Sequence, residues 1–399
     1  MFMKILVVCQ HYKPEPFRIA DLCESLVKDG HEVTVVTGVP NYPEGKIYAG
    51  YEKKQNRNET LNGVKIHRCF TIPRKSGVFF RVLNYYSFSL SSQHYLSRFE
   101  EDFDVVFVYQ LSPVMMASGA LKYAKKHRKK VVLYCLDLWP ESLIAGGIRK
   151  NSLIYKIFLH KSRRIYSRAD TLLMASQSFE SYFRETLKIS DHNLQYLPQY
   201  AENVFDKIPM HSTHEPPYNF LFAGNIGGMQ SVETIVEAAR MLSSNEKIKI
   251  HVVGSGSEYS RCKALAEGLP NITFYGRQDI EKMPSFYTMA DAGLVTMKAD
   301  PVISLTIPGK VQSYMAAGLP VIGAIDGETV TVVNKANCGI CVPSGDAAGL
   351  ADTMRRLADN PESLVEYGRN ARLYYQKTFR KQIFMEHLLK VLTACANSE

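Results

Sequence analysis

Short apolar runs alternate with amphipathic stretches along the chain, and turn residues close most of them. In the first half, Lys4–Cys9, Glu32–Thr37, Val64–Arg68, Val105–Tyr109, Val131–Leu136 and Thr171–Ala175 read as strands. Arg18–Lys28 reads as an amphipathic helix closed by Asp29-Gly30, and Ala117–Lys126 as a basic helix. The second half starts the pattern again: strands at Tyr218–Ala223, Lys247–Val253, Ile272–Tyr275, Ala292–Thr296, Val321–Gly323 and Gly339–Val342, with a helix from Val232 to Leu242. Strands separated by helices predict parallel, doubly wound sheets, so the chain reads as α/β with two Rossmann-like domains. The polar segment Pro198–Pro217, rich in proline, reads as the linker. A helical region from about Pro361 to Cys395 is expected to pack back across the cleft, its end at 376–399 on the first domain. In such sheets ligands sit beyond the C-terminal strand ends. In the first half this selects the loops Gln10–Phe17, Gly38–Gly45, Gln110–Pro113 and Asp137–Gly147.

Composition narrows the class. A chain of 399 residues, 46% hydrophobic, suits two α/β domains better than one. Met1–Gln10 is too short an apolar run for a signal peptide and reads as a first buried strand. No run of apolar residues is long enough to span a membrane. The eight cysteines are scattered, several within strand-like runs, which fits small core residues in a reducing compartment. Cys338 and Cys341 form one C-x-x-C without a second pair, too few ligands for zinc. Charge is uneven: residues 1–200 hold 29 Lys+Arg against 18 Asp+Glu, and residues 201–399 hold 19 against 21. The first half should therefore meet an anionic partner. Without a helix-turn-helix, zinc-finger or RNP signature, a membrane surface or a diphosphate lipid fits better than nucleic acid.

The densest chemistry lies between Leu305 and Ile322. Pro308-Gly309 make a turn, a short helix opens with Lys310, and Gly318 caps it. A helix N-terminus favours an anion, and Lys310 adds a full positive charge. Gly224-x-x-Gly227-Gly228 and Gly254-x-Gly256 each follow a strand and leave room for a diphosphate. Gly254-x-Gly256 lacks the third glycine of a dinucleotide fingerprint, so a nucleotide diphosphate fits better than NAD. The one D-x-D string, Asp102-Phe-Asp104, precedes a strand, at the wrong sheet end for a metal site.

Several strings carry a family resemblance: His11 through Arg18, Val39-Pro-Asn41-Tyr42-Pro-Glu-Gly45, Asp137-Leu-Trp139-Pro-Glu141-Ser142, Phe222-Ala-Gly224-Asn225-Ile-Gly227 with Gln230 and Glu233, and Ile307-Pro308-Gly-Lys310-Val-Gln312-Ser313-Tyr314-Met315. In these the chain resembles family-4 glycosyltransferases of the GT-B fold, and among them the bacterial N-acetyl-L-fucosamine transferases of O-antigen and capsule synthesis. The resemblance implies an acceptor domain at 1–200, a nucleotide-sugar domain at 201–375 and a C-terminal helical segment at 376–399, with a cleft between the domains. It implies Asp137, Glu141 and Lys310 as catalytic. Gly224, Asn225, Gly227, Gly228, Gly254, Gly256, Arg277, Pro308, Lys310, Gln312 and Ser313 would hold the nucleotide sugar. His11, Glu15, Arg18, Asn41, Tyr42 and Trp139 would hold the acceptor. No metal and no other cofactor are expected.

The chain also departs from that family. Ser313 stands where many members carry a ribose-binding Glu, and Leu305 where the first Glu of the family's Glu-x7-Glu pair falls. Asn225 and Gln230 replace the usual Arg and Lys, so the diphosphate must lean on Lys310, the Gly227-Gly228 backbone and Arg277. Leu136-Asp137 stands in place of a first-domain His. The implied activity is retaining transfer from a UDP-sugar, with UDP-N-acetyl-L-fucosamine as donor, to an undecaprenyl-diphosphate-linked saccharide. GDP-fucose or UDP-GlcNAc transfer, a UDP-sugar 2-epimerase, and a non-enzymatic nucleotide-sugar binding module are the alternatives. Two segments are expected at the cytoplasmic membrane face: residues 74–99, with Phe79, Phe80, Tyr85, Tyr86, Phe88 and Tyr95, and Lys122–Lys130, with six cations.

Overall fold

The structure is a computed structural model and describes residues 2–74, 78–144, 148–189, 193–213 and 215–398, the side chains of Val78, Phe79 and Arg81 excepted. The chain divides into two compact units, Met1–Leu197 with Met385–Glu399, and Pro198–Phe384.

Among the described residues, the first unit is built on an eight-stranded sheet in the order β3-β4-β2-β1-β5-β6-β7-β8. Its strands are β1 (Lys4–Cys9), β2 (Glu32–Gly38), β3 (Asn58–Leu61), β4 (Val64–Cys69), β5 (Val105–Gln110), β6 (Val131–Cys135), β7 (Thr171–Met174) and β8 (Asn193–Tyr196). All neighbours are parallel except β3 and β4, an antiparallel hairpin closed by Asn62-Gly63. β1 and β5 lie at the centre and are almost wholly apolar and buried, as central parallel strands covered on both faces must be. Helix α1 (Ile19–Lys28) buries Ile19, Leu22, Cys23 and Leu26, a stripe at helical spacing. Helices α2 (Val78–Ser97), α3 (Ser118–His127) and α4 (Leu153–Tyr166) complete the cover. The last helix, Lys381–Asn397, brings His387 to Gln195 (3.0 Å) and Cys395 to Thr171 (3.5 Å).

Among the described residues, the second unit has a six-stranded parallel sheet in the order β11-β10-β9-β12-β13-β14. Its strands are β9 (Tyr218–Ala223), β10 (Ile248–Val253), β11 (Ile272–Gly276), β12 (Ala292–Thr296), β13 (Val321–Ala324) and β14 (Gly339–Val342).

Both sheets run outward in two directions from a central pair. In the first unit the order reverses between β1 and β5, and in the second between β9 and β12. Loops leaving the C-terminal ends of such a pair diverge and open a crevice. Each unit thus has one position where its topology prepares a ligand site.

Candidate functional site

In the second unit, Tyr314 organises the crevice. It belongs to the helix Gly309–Ala317, and its ring lies flat on β12, where a Cβ at Gly293 would stand 2.4 Å from the ring. Its hydroxyl accepts from the Ala223 N–H at the end of β9 (2.9 Å) and donates to the Leu294 carbonyl of β12 (3.1 Å). One side chain thus ties the two diverging strands together and anchors the helix over the gap. Gly318 ends that helix at φ +72°, with the Leu319 N–H returning to the Tyr314 carbonyl. Lys310, one turn before Tyr314, is thereby carried to the crevice mouth.

The Lys310 ammonium is buried and has no hydrogen-bond partner among the described residues. Its Nζ lies over the Phe222 ring, 3.3 Å from the centroid, and 3.3 Å from where a Cβ at Gly224 would stand. Burial pushes its pKa well below the usual 10.5. Gly224 and Gly254 sit at φ +146° and +143°, and a Cβ on Gly254 would fall 1.8 Å from the Gly224 carbonyl oxygen. The Gly224 N–H donates to Val253 and the Gly254 N–H to Gly276, so the loops after β9, β10 and β11 are laced together. Gly228 has open space around it.

Not every expected donor is open. Gln230 accepts from the Gly227 N–H (3.1 Å) and from Asn225 Nδ2 (3.0 Å), so these groups brace the loop. Gln312 is buried; its amide nitrogen, placed to satisfy its surroundings, donates to the carbonyls of Pro308 (2.9 Å) and Gly309 (3.1 Å). Ser313 is buried and donates to Glu202 (3.2 Å). These two residues shape the helix start from inside. Arg277 is exposed immediately after the edge strand β11.

In the first unit a cavity of about 550 Å³ opens at the β1/β5 crevice. All four loops selected from sequence reach it: His11 and Phe17, Tyr42, Leu111 and Ser112, and Asp137, Trp139 and Ser142. Residues 145–147 of the last loop lie outside the described residues. The rest of the lining is mainly apolar, including Tyr85, Met115, Ile154 and Phe158, and among the described residues Arg74 is its one Lys or Arg.

Glu15 fixes the polar end of this cavity. Its buried carboxylate accepts from the backbone N–H groups of Asn41 (2.8 Å) and Tyr42 (2.7 Å), and meets His11 Nδ1 at 3.1 Å. The same carboxylate also takes the Tyr12 N–H (3.3 Å), and with three backbone donors fixing it, it orients the His11 ring by accepting from Nδ1. The imidazole stacks on Phe17 at 4.8 Å. Asn41 is also buried; it donates to the Val39 carbonyl and accepts from the Arg74 N–H. Glu15 and Asn41, expected to touch the acceptor, instead hold His11, Tyr42 and Arg74, which line the cavity. Arg18 stands at the start of α1, outside the cavity lining.

Asp137 is half-buried in the cavity wall and accepts from the Ser112 N–H (3.3 Å). Desolvation raises its pKa above the ordinary 3.8, opposed by the Ser112 hydrogen bonds and by the charge of Arg74. Glu141 was expected on the rim with it. Instead it is buried beneath the loop, accepts from the Tyr155 hydroxyl and does not line the cavity. The short turn Glu141–Leu143 points its carboxylate inward, so its role is to anchor that loop to α4.

The D-x-D string serves the opposite end of the sheet. Asp104 accepts from the Lys4 N–H and Asp102 pairs with Lys129. Among the described residues no three metal-ligating side chains cluster. Arg74, Tyr85 and Phe158 were missed as cavity residues because their segments carry no local motif; only the fold brings them to the cavity.

Comparisons with known proteins agree with this architecture. The family model "Glycosyltransferase Family 4" matches residues 18–199, and "Glycosyl transferases group 1" matches residues 205–374. WcaI of Escherichia coli strain K12, named as a colanic acid biosynthesis glycosyl transferase, is 26% identical over 79% of this chain and 82% of its own length. Among solved structures, a sucrose-phosphate synthase from Thermosynechococcus elongatus aligns over 98% of both chains with a TM-score of 0.75 and 18% identity. HepE from Anabaena, solved with UDP, aligns over 98% of this chain and 100% of its own with a TM-score of 0.68 and 13% identity. With one model on each half of the chain, and two sheets that each reverse at a crevice, this protein is a family 4/group 1 glycosyltransferase of the GT-B fold.

Proposed function

We propose that the protein is a retaining, metal-independent glycosyltransferase that moves a sugar from a nucleotide diphosphate to a lipid-diphosphate-linked saccharide during surface polysaccharide assembly. The observation that carries the reading is the buried Lys310 ammonium beside Gly224, without a hydrogen-bond partner among the described residues. An uncompensated buried charge is costly, and its place at a helix start on the sheet's reversal point fits a site completed by an anion. HepE, a structural neighbour, was solved with UDP, which supports a uridine nucleotide here. The name of WcaI supports a polysaccharide pathway.

In the transfer step an acceptor hydroxyl oxygen bonds to the anomeric carbon as the bond from that carbon to the diphosphate oxygen breaks. Lys310 and the helix N-terminus stabilise the charge growing on the departing diphosphate. The first-unit cavity holds the acceptor: Arg74 and His11 meet its polar part, and the Asp137 carboxylate takes the hydroxyl proton. N-acetyl-L-fucosamine is the proposed sugar, on the resemblance of the Asn-Tyr-Pro-Glu-Gly and Asp-Leu-Trp-Pro-Glu-Ser strings. The protein would work at the inner face of the cytoplasmic membrane. Thermal-shift screening against UDP, GDP and dTDP sugars tests the donor assignment. Stabilisation by UDP-sugars alone is expected, and no response to any nucleotide would overturn it.

A further inference from the structure

We infer that α4, with the adjoining face of α2, is the surface on which this protein docks to an anionic bilayer. The inference rests on the reading above only for the reason such an enzyme visits a membrane. Ile154, Ile157, Lys161, Arg164 and Arg168 follow one another at spacings of three and four, so they form one stripe along α4 and its C-terminal end. The stripe is apolar at one end and cationic at the other. Ile154 and Ile157 are about half exposed, and Leu153 beside them is 73% exposed. On α2, Val82 and Leu90 are exposed as well.

The cationic end borders a groove of about 290 Å³ that also carries Ser89, Gln93 and Ser118. Among the described residues, Lys161, Arg164 and Arg168 have no carboxylate partner. Lys161 lies instead over the rings of Tyr86 (5.8 Å) and Phe158 (5.9 Å). The basic run at the end of α3, expected from sequence to meet lipid, is different. There Lys126 pairs with Glu100 (2.6 Å), Lys129 with Asp102 (3.0 Å) and Lys130 with Asp170 (3.5 Å). These three have little attraction left for a lipid headgroup, and although Lys122, Lys125 and Arg128 are unpaired among the described residues, no exposed large apolar side chain lies beside them, whereas the α4 cations share their stripe with Ile154 and Ile157. Of the aromatics expected to insert, Phe88 is fully buried, Phe80 is 36% exposed, and the side chain of Phe79 lies outside the described residues.

Position supplies the second argument. Val82 and Ile154 are exposed and also line the acceptor cavity. With the stripe on the bilayer, a lipid chain would pass from the membrane into the cavity along apolar side chains without crossing water. The shared chemistry of the groove, three cations without carboxylate partners among the described residues, suits a phosphoryl group. We assign it to phospholipid headgroups and not to free phosphate, because the exposed apolar residues share its stripe.

The test is flotation of the full chain with phosphatidylcholine vesicles, with and without phosphatidylglycerol. Wild type should float only with anionic vesicles, less so as salt rises. Lys161→Gln/Arg164→Gln/Arg168→Gln should weaken binding about tenfold or more and remove the salt dependence. Ile154→Ser/Ile157→Ser should weaken it and keep the salt dependence. Lys126→Gln/Lys129→Gln/Lys130→Gln should change it by less than about twofold. Loss in the α3 variant with retention in the α4 variants would overturn the assignment. So would release by inorganic phosphate beyond that by sodium chloride of equal ionic strength. Transfer to a short-chain, water-soluble acceptor separates the two readings. The triple-cation variant should keep that activity. Wild type that transfers sugar but ignores anionic vesicles refutes the docking surface alone, and wild type that floats but transfers nothing refutes the enzymatic reading alone.

Discussion

The ammonium of Lys310 lies 3.3 Å from the centre of the Phe222 ring and has no hydrogen-bond partner among the described residues. Phe222 belongs to the central strand β9, so the cation rests on the domain's own core at the point where the sheet reverses. A cation–π contact compensates only part of the lost hydration. The free protein thus carries an electrostatic deficit that an arriving diphosphate would remove.

Lys310→Ala should therefore lower turnover by about 10²–10³-fold, roughly 2.7–4 kcal/mol of transition-state stabilisation, without lowering the melting temperature. Proton uptake gives a second readout. Burial holds the Lys310 pKa well below 10.5 in the free protein, and a bound diphosphate raises it. Between the two values, UDP binding should take up a proton, visible by calorimetry in buffers of different ionisation enthalpy. The uptake should vanish in Lys310→Met. Wild-type turnover in the alanine variant would remove Lys310 from the mechanism.

The glycines of the loops separate packing from binding. A Cβ at Gly254 would collide with the Gly224 carbonyl, so Gly254→Ala should destabilise the second unit outright. Gly228 has nothing near it, so Gly228→Ala should melt like wild type while UDP affinity falls about tenfold. Unchanged affinity, measured by titration, would move the diphosphate away from Gly228.

Asp137→Asn should reduce transfer by about 10²-fold or more and leave UDP affinity unchanged. It should also stabilise the free protein at neutral pH. The folded-state pKa of Asp137 is raised above 3.8, so its ionised form costs stability above that raised value, and the cost disappears as pH falls below 3.8. The variant's gain in melting temperature should disappear over the same interval. Equal losses in UDP affinity and transfer would place Asp137 with the donor.

Glu15→Ala would leave the N–H groups of Asn41, Tyr42 and Tyr12 without this acceptor, at about 1–3 kcal/mol for each that is buried. Denaturant melts should show a loss of roughly 3 kcal/mol. Glu15→Gln retains an acceptor oxygen and should recover part of the stability but less of the acceptor affinity, because an amide orients the His11 ring poorly. A fully stable alanine variant would mean that the loops after β1 and β2 hold their positions without it.

The framework was largely legible because buried parallel strands are short apolar runs with sharp ends, and β1, β12 and β14 begin and end at the residues read from sequence. β3 was not. Its sequence, Asn58-Glu-Thr-Leu61, is polar because it is an edge strand, though Asn62-Gly63 is a strong hairpin signal, with φ of +50° and +82°. β8 is short and also at an edge. At the site, spacing located Lys310, the glycine loops and the four loops of the first unit. It could not tell which polar side chains face a ligand. Glu15, Asn41, Glu141, Gln312 and Ser313 are buried, and most of their polar atoms are used within the protein. Nor does sequence show that three cations of the α3 run are paired with carboxylates distant along the chain.

The most direct test of the whole account is a transfer assay read by mass spectrometry. The protein would be incubated in EDTA with UDP-, GDP- and dTDP-sugars and a short-chain lipid-diphosphate saccharide. The account predicts one added sugar on the acceptor, joined with retained anomeric configuration, together with an equal amount of free UDP, and loss of both products in Lys310→Ala. An unmodified acceptor with every donor, or product formed equally well by the Lys310→Ala protein, would contradict it.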